Sequence, residues 1–135
     1  MGIEKVNAAL ESSDTWLGSA KSNFRDTHYS VALYSLEMAA EIALKAVLLS
    51  VNVNVPKVHD VSSLVIKYSE ENKKLNVIKE NEKFIRDVFL DLLTNRNSAG
   101  YMFEYRKSEE EFKKLVIEYL PKTERFIEIC KKAVH

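Results

Sequence analysis

An all-α fold, an up-and-down antiparallel bundle of about five helices, is predicted by three observations on this sequence. Apolar residues recur at helical spacing along most of the chain. Glycine (3) and proline (2) are scarce, leaving few of the turns that an all-β chain needs. Hydrophobic residues make up 46% and charged residues 30%, the balance of a compact, soluble domain rather than a disordered segment. At 135 residues the chain suits one domain, 1–135, with room for a real core.

The first helix is expected over Ile3 to Phe24, where Ile3, Val6, Leu10, Leu17, Ala20 and Phe24 mark one stripe with Trp16 beside it. Arg25-Asp26-Thr27 makes a short connection, which favours antiparallel neighbours. The second helix, His28 to Val51, is apolar nearly all round, as a helix is when it lies at the centre of its bundle or in a dimer. Its polar exceptions, Glu37, Glu41 and Lys45, stand four residues apart and share one face. Glu37 beside Glu41 is repulsive unless a cation lies between them, and Arg96 from another helix is the candidate.

The segment Asn52 to His59 contains Pro56 and ends the second helix. Asp60 is placed to cap a short third helix with Val61, Leu64, Val65 and Tyr68 inward. Glu70 to Asn76 reads as a polar connector. A fourth helix over Ile78 to Asn95 places Ile85, Val88, Phe89, Leu92 and Leu93 on one stripe, stopping near Arg96-Asn97 with Gly100 as a breaker. Ser108 and Glu111 form a capping box for the last helix. Its stripe runs through Phe112, Leu115, Tyr119, Phe126 and Cys130, and Pro121 predicts a kink rather than two helices.

Charge and cysteine content exclude several function classes. Twenty basic and twenty acidic residues give no net charge, which argues against a general polyanion-binding surface. A single cysteine, Cys130, excludes an intramolecular disulfide and a cysteine-based zinc site, and its apolar stripe points to a buried structural thiol. The histidines His28, His59 and His135 share no metal-ligand spacing with carboxylates, so no metal site is expected. No cofactor fingerprint appears either. No apolar run approaches the roughly 18–20 residues that span a bilayer, and the N-terminus lacks a signal-peptide layout, so no membrane role and a cytoplasmic location are expected.

The chemistry-bearing stretch is Asn95-Arg96-Asn97-Ser98-Ala99-Gly100-Tyr101, at the end of the fourth helical run. Arg96 reads either as a phosphate ligand or as a salt-bridge partner of Glu37 and Glu41, two readings of equal weight. Asn97 and Tyr101 complete the candidate set with Lys45. Tyr101, Phe103 and Tyr105, flanked by Arg96 and Arg106, also resemble a stacking surface, although such clusters are more often core or interface. His59 is expected to satisfy loop backbone groups, and His28 to be a turn residue.

The run Leu36-Glu37-Met38-Ala39-Ala40-Glu41-Ile42-Ala43-Leu44-Lys45, followed through a proline loop by His59-Asp60-Val61-Ser62-Ser63-Leu64, resembles the HEPN family (higher eukaryotes and prokaryotes nucleotide-binding). The likeness covers about residues 3 to 132. It implies a bundle of about five helices assembled as a symmetric homodimer, and the apolar girth of the second helix favours a dimer as well. Many prokaryotic relatives pair with a minimal nucleotidyltransferase, some as toxin and antitoxin, and nucleotide or RNA is the ligand class implied.

Catalytic relatives are metal-independent RNases with an R-x(4–6)-H motif late in the bundle. Arg96 and Asn97 match its start, but Gly100, Tyr101, Met102 and Phe103 stand where the histidine would fall. A tyrosine with a pKa of about 10 is a poor base at neutrality. Phe103 likewise stands where the longer R-x4-H-x-Y form carries a tyrosine that a partner modifies with AMP. A non-catalytic binding protein is therefore expected, with a residual RNase and a purely structural assembly module as the alternatives.

Overall fold

The computed structural model describes residues 2–100 and 107–135 and, within them, every side chain except those of residues 97–100. Among the described residues there are six α-helices and no strand: α1 (Gly2–Arg25), α2 (Tyr29–Ser50), α3 (Ser62–Glu71), α4 (Asn76–Glu80), α5 (Glu82–Gly100) and α6 (Glu109–Val134). A single 3-10 turn, Lys73–Leu75, joins α3 to α4. None of these helices is long and apolar enough to cross a membrane.

Both long N-terminal helices end the same way. After α1, Thr27 takes a left-handed φ of 66°, its N–H donates to Phe24 O, and the next N–H, of His28, reaches back to Asn23 O. After α2, Asn52 takes φ 59°, donates to Leu49 O, and Val53 N–H reaches Leu48 O. This paired closure satisfies the orphan carbonyls of a helix C-terminus. The first closure turns α2 back along α1. The second, rather than Pro56, is what ends α2.

α2 is the central helix and packs on α1, α5 and α6. Leu33, Leu36, Leu44, Val47 and Leu48 are fully buried, as are Ala32, Ala39, Ala40, Ala43 and Ala46. The small alanines let neighbouring backbone come close, and Ser13 of α1 uses that proximity to donate to Ala39 O at 2.7 Å. From the other side Phe89 of α5 and Phe126 of α6 stack with ring centroids 6.3 Å apart. A fully buried side chain of this size contributes about 1.5–3 kcal/mol over its exposed state.

Three expectations for the middle of the chain need correction. The polar run 70–76 is no loose connector, because α3 continues to Glu71 and the 3-10 turn pins Leu75 fully into the core. The expected helix over Ile78 to Asn95 is two helices broken at Asn81. There the side-chain amide donates to Val77 O at 2.8 Å, taking the carbonyl that the residue's own N–H would use in a continuous helix, while that N–H turns to Ile78 O. Finally, α5 does not stop at Arg96-Asn97 but runs to Gly100, so Arg96 lies inside the helix, about one turn from its end.

The remaining elements follow the sequence except at Ile3, which belongs to the expected inward stripe of α1 and is exposed. Asp60 Oδ1 accepts from the N–H of Ser62 at 3.2 Å and from its hydroxyl at 2.9 Å, securing the start of α3. Val61 and Val65 are buried there. Ser108 Oγ accepts from Glu111 N–H at 3.1 Å and caps α6. α6 passes Pro121 as one helix.

Candidate functional site

Four side chains of α2, Tyr34, Glu37, Glu41 and Lys45, follow at steps of three and four residues and so share one face. That face meets α5 where it carries Arg96. The loop after α2 then brings His59 over the same point. Glu37 is fully buried and Glu41 nearly so, while the Arg96 side chain keeps 14% of its surface and that of His59 keeps 59%. The cluster is therefore a deep acidic floor under an arginine, with an exposed imidazole at its rim.

Its geometry centres on one nitrogen. Arg96 Nη1 lies 2.6 Å from His59 Nδ1 and 3.5 Å from both Glu37 Oε1 and Glu41 Oε1. Nη2 donates to Tyr34 Oη at 2.8 Å, and the guanidinium carbon stands 4.7 Å from the Tyr34 ring centroid. Lys45 Nζ pairs with the other oxygen of Glu41 at 2.9 Å. His59 Nδ1 is also 2.9 Å from Glu41 Oε1.

Two neighbours, Arg96 and Glu41, compete for Nδ1 of the imidazole. A guanidinium only donates and a carboxylate only accepts, so Nδ1 accepts from Arg96 at 2.6 Å in one tautomer and donates to Glu41 Oε1 at 2.9 Å in the other; the shorter contact is the one to Arg96. In the neutral ring that accepts from Arg96 the proton sits on Nε2, and 59% of the side chain is exposed. Neither Glu37 oxygen has a hydrogen-bond partner among the described residues. Burial, and then the neighbouring Glu41, push the Glu37 carboxyl up to about 8 despite the pull of Arg96 and Lys45. Burial acts upward on Glu41 too, but Glu37, Lys45 and His59 outweigh it and hold its carboxyl below the ordinary value. Arg96 stays charged, since Glu37, Tyr34 and Glu41 more than offset its own burial.

With Glu37 shifted toward its protonated form and Glu41 toward its charged one, Lys45 and Arg96 face less than two full carboxylate charges, which leaves a cationic surplus. That surplus sits beneath the N–H donor of the half-exposed ring. The arrangement suits an oxyanion such as a phosphate oxygen.

Of the residues singled out from sequence, Glu37, Glu41, Lys45 and Arg96 come together. The cation expected between the two glutamates is Arg96. Asn97 lies in α5, but its side chain is outside the described ones, and Tyr101, Phe103, Tyr105 and Arg106 lie outside the described residues altogether. Two members were missed. His59 does not serve loop backbone groups; its ring faces Glu41 and Arg96. Tyr34 falls within the nearly apolar girth expected of the second helix, although its place three residues before Glu37 puts it on the polar face.

A comparison with curated proteins gives no significant match. The family model of the HEPN domain matches residues 6–133, nearly the whole chain and all the elements that build the cluster. The chain belongs to the HEPN domain family.

Proposed function

We propose that this HEPN domain binds a nucleotide or RNA phosphate at the Arg96–Lys45–His59 rim and does not cut RNA. The observation that carries the reading is the 2.6 Å contact between Arg96 Nη1 and His59 Nδ1. With Nδ1 accepting from Arg96, Nε2 of the half-exposed ring is a donor, which holds a phosphate oxygen but takes no proton from a ribose hydroxyl. The same contact supplies the one argument for the residual-RNase reading, since a histidine does reach the arginine in space. For His59 to act as a base, Nδ1–H would have to turn to Glu41 Oε1, 2.9 Å away, and Arg96 Nη1 would lose its 2.6 Å acceptor.

The physiological form is a homodimer with a minimal nucleotidyltransferase as partner, in a toxin–antitoxin setting within the cytoplasm. Support for this comes from family membership and from the exposed apolar side chains Val31 and Ile117. Light scattering that returned a monomer at micromolar concentration would count directly against the dimer.

Calorimetry and anisotropy with AMP, ATP and a single-stranded oligoribonucleotide, all in EDTA, test the binding reading. Binding that weakens at least tenfold in Arg96→Lys and in His59→Ala is expected, in line with one lost charge-assisted hydrogen bond of about 1.5–3 kcal/mol. No binding of any of the three probes sinks the reading. RNA cleavage that disappears in Arg96→Lys selects the RNase instead.

A further inference from the structure

Three lone-pair acceptors converge on one point: Glu37 Oε1, Glu41 Oε1 and His59 Nδ1. One ligand atom from each residue lies within 4.8 Å of the others. Arg96 Nη1 occupies the point they face, at 3.5, 3.5 and 2.6 Å. A guanidinium nitrogen of this kind carries two hydrogens, so it cannot serve three acceptors at once. The shortfall falls on Glu37, which is fully buried and has no hydrogen-bond partner among the described residues on either oxygen.

We propose that Glu37, Glu41 and His59 form a divalent-cation site of the zinc class, for which the Arg96 guanidinium competes as a built-in rival cation. Once an ion displaces the proton from Glu37 to solvent, two carboxylates and an imidazole are a mixed oxygen and nitrogen donor set, which suits Zn2+ and disfavours Mg2+. Ligands about 2.1 Å from a tetrahedral zinc lie about 3.4 Å apart, and the three donors here lie within 4.8 Å of one another, with His59 Nδ1 and Glu41 Oε1 2.9 Å apart. His59 comes from a loop and can adjust its distance to the ion, while Glu37 and Glu41 are fixed on consecutive turns of α2. Glu41 keeps Oε1 for the ion because Lys45 takes Oε2.

The competition follows from what else holds Arg96. Nη2 is anchored on Tyr34 at 2.8 Å, with the tyrosine ring under the guanidinium. Nη1 can therefore swing away from the three acceptors while the side chain keeps a partner. Linear spacing gives no hint of the site, because eighteen residues separate His59 from Glu41 and the loop after α2 brings them together. Lysine and tyrosine, the other polar groups packed at the cluster, are not ligands in this scheme. Cation binding at these three residues requires no bound phosphate.

The test is titration of the EDTA-stripped, dialysed full chain with Zn2+ alone, followed by calorimetry and thermal unfolding, with Mg2+ alongside. One equivalent of Zn2+ is expected, with Mg2+ at least tenfold weaker. His59→Ala and Glu37→Gln should each weaken Zn2+ at least tenfold, with circular dichroism confirming the helical fold. Arg96→Met, which removes the rival cation, should tighten Zn2+ at least tenfold. Saturable binding that survives His59→Ala, or that is lost in a His28→Gln, His135→Gln variant, assigns the ion to the surface and overturns the site. Absence of binding in wild type and Arg96→Met together overturns it as well. Because His59 is exposed, its variant keeps the test decisive even where a buried substitution fails to fold.

Discussion

Tyr34 and Arg96, on different helices, are joined twice: Nη2 donates to the phenol oxygen at 2.8 Å and the guanidinium stands 4.7 Å from the ring centroid. The tyrosine thus presents the arginine to the glutamates from behind. Without the hydroxyl, the ring contact remains but the direction of the guanidinium is set less tightly. Tyr34→Phe is expected to lower stability by about 1.5 kcal/mol, the scale of one hydrogen bond to a charged group. Tyr34→Ala should lower it further by removing the ring. Urea unfolding of the two variants, read at unchanged m, separates the two contributions.

The Glu37 carboxyl supplies a pH signature. Its ordinary value is 4.5 and burial, followed by Glu41, raises it to about 8 in the folded chain. Between these values the folded state keeps a proton that the unfolded state has released. This contribution to stability is complete below about 4.5 and is lost as pH rises through about 8. The slope approaches at most about 1.4 kcal/mol per pH unit for one proton. Glu41 is shifted the other way, so its contribution is lost only as pH falls below the ordinary carboxylate range. Glu37→Gln keeps the shape of the protonated acid and removes the titration. Urea midpoints of wild type in EDTA should therefore fall between pH 5 and 8 more steeply than those of the variant; parallel curves would refute the shift.

Cys130 is fully buried in the core of α6, and burial alone pushes its thiol well above the ordinary cysteine range. The thiolate is the reactive form, so a buried thiol of this kind is inert. Native protein at pH 8 should show almost no reaction with an aromatic disulfide reagent over minutes. Adding guanidinium chloride should release one equivalent of thiol per chain. Rapid labelling of the native chain would contradict the packing of α6.

The sequence showed most of the scaffold because the scaffold is built from local rules. The stripes of α1, α2, α5 and α6, the Ser108 cap and the Glu41–Lys45 step are all set by residues within one or two turns of each other. The break at Asn81 was hidden, since a side-chain amide taking Val77 O leaves the apolar phase on either side intact. The site was half legible for the same reason. Glu37, Glu41 and Lys45 stack by helical period, and Arg96 is the nearby unassigned cation. His59 reaches them only through the path of a loop, and no periodicity encodes a loop's path. Tyr34 was hidden in a different way: a tyrosine in an apolar helix reads as core until its hydroxyl finds a charged partner.

Thr27 offers a stabilising change that touches none of this chemistry. It closes α1 with φ 66°, a left-handed conformation that a β-branched residue adopts at a penalty of roughly 1–2 kcal/mol. Its N–H to Phe24 O bond and the following His28 N–H to Asn23 O bond are made by backbone, so they survive a change of side chain. Residue 27 is exposed, and no hydrogen bond of its hydroxyl is among the described contacts. Thr27→Gly relieves the steric strain but adds freedom to the unfolded chain, which returns about 0.5–1 kcal/mol of the gain. The net expected is a rise of a few tenths to about 1 kcal/mol, or several degrees in Tm for a chain of this size. Thr27→Asn tests the cause, because asparagine tolerates the same φ without glycine's flexibility and should gain at least as much. Thr27→Val keeps the branching and should gain nothing. If valine stabilised as well as glycine, strain at the α1 closure would not be the reason.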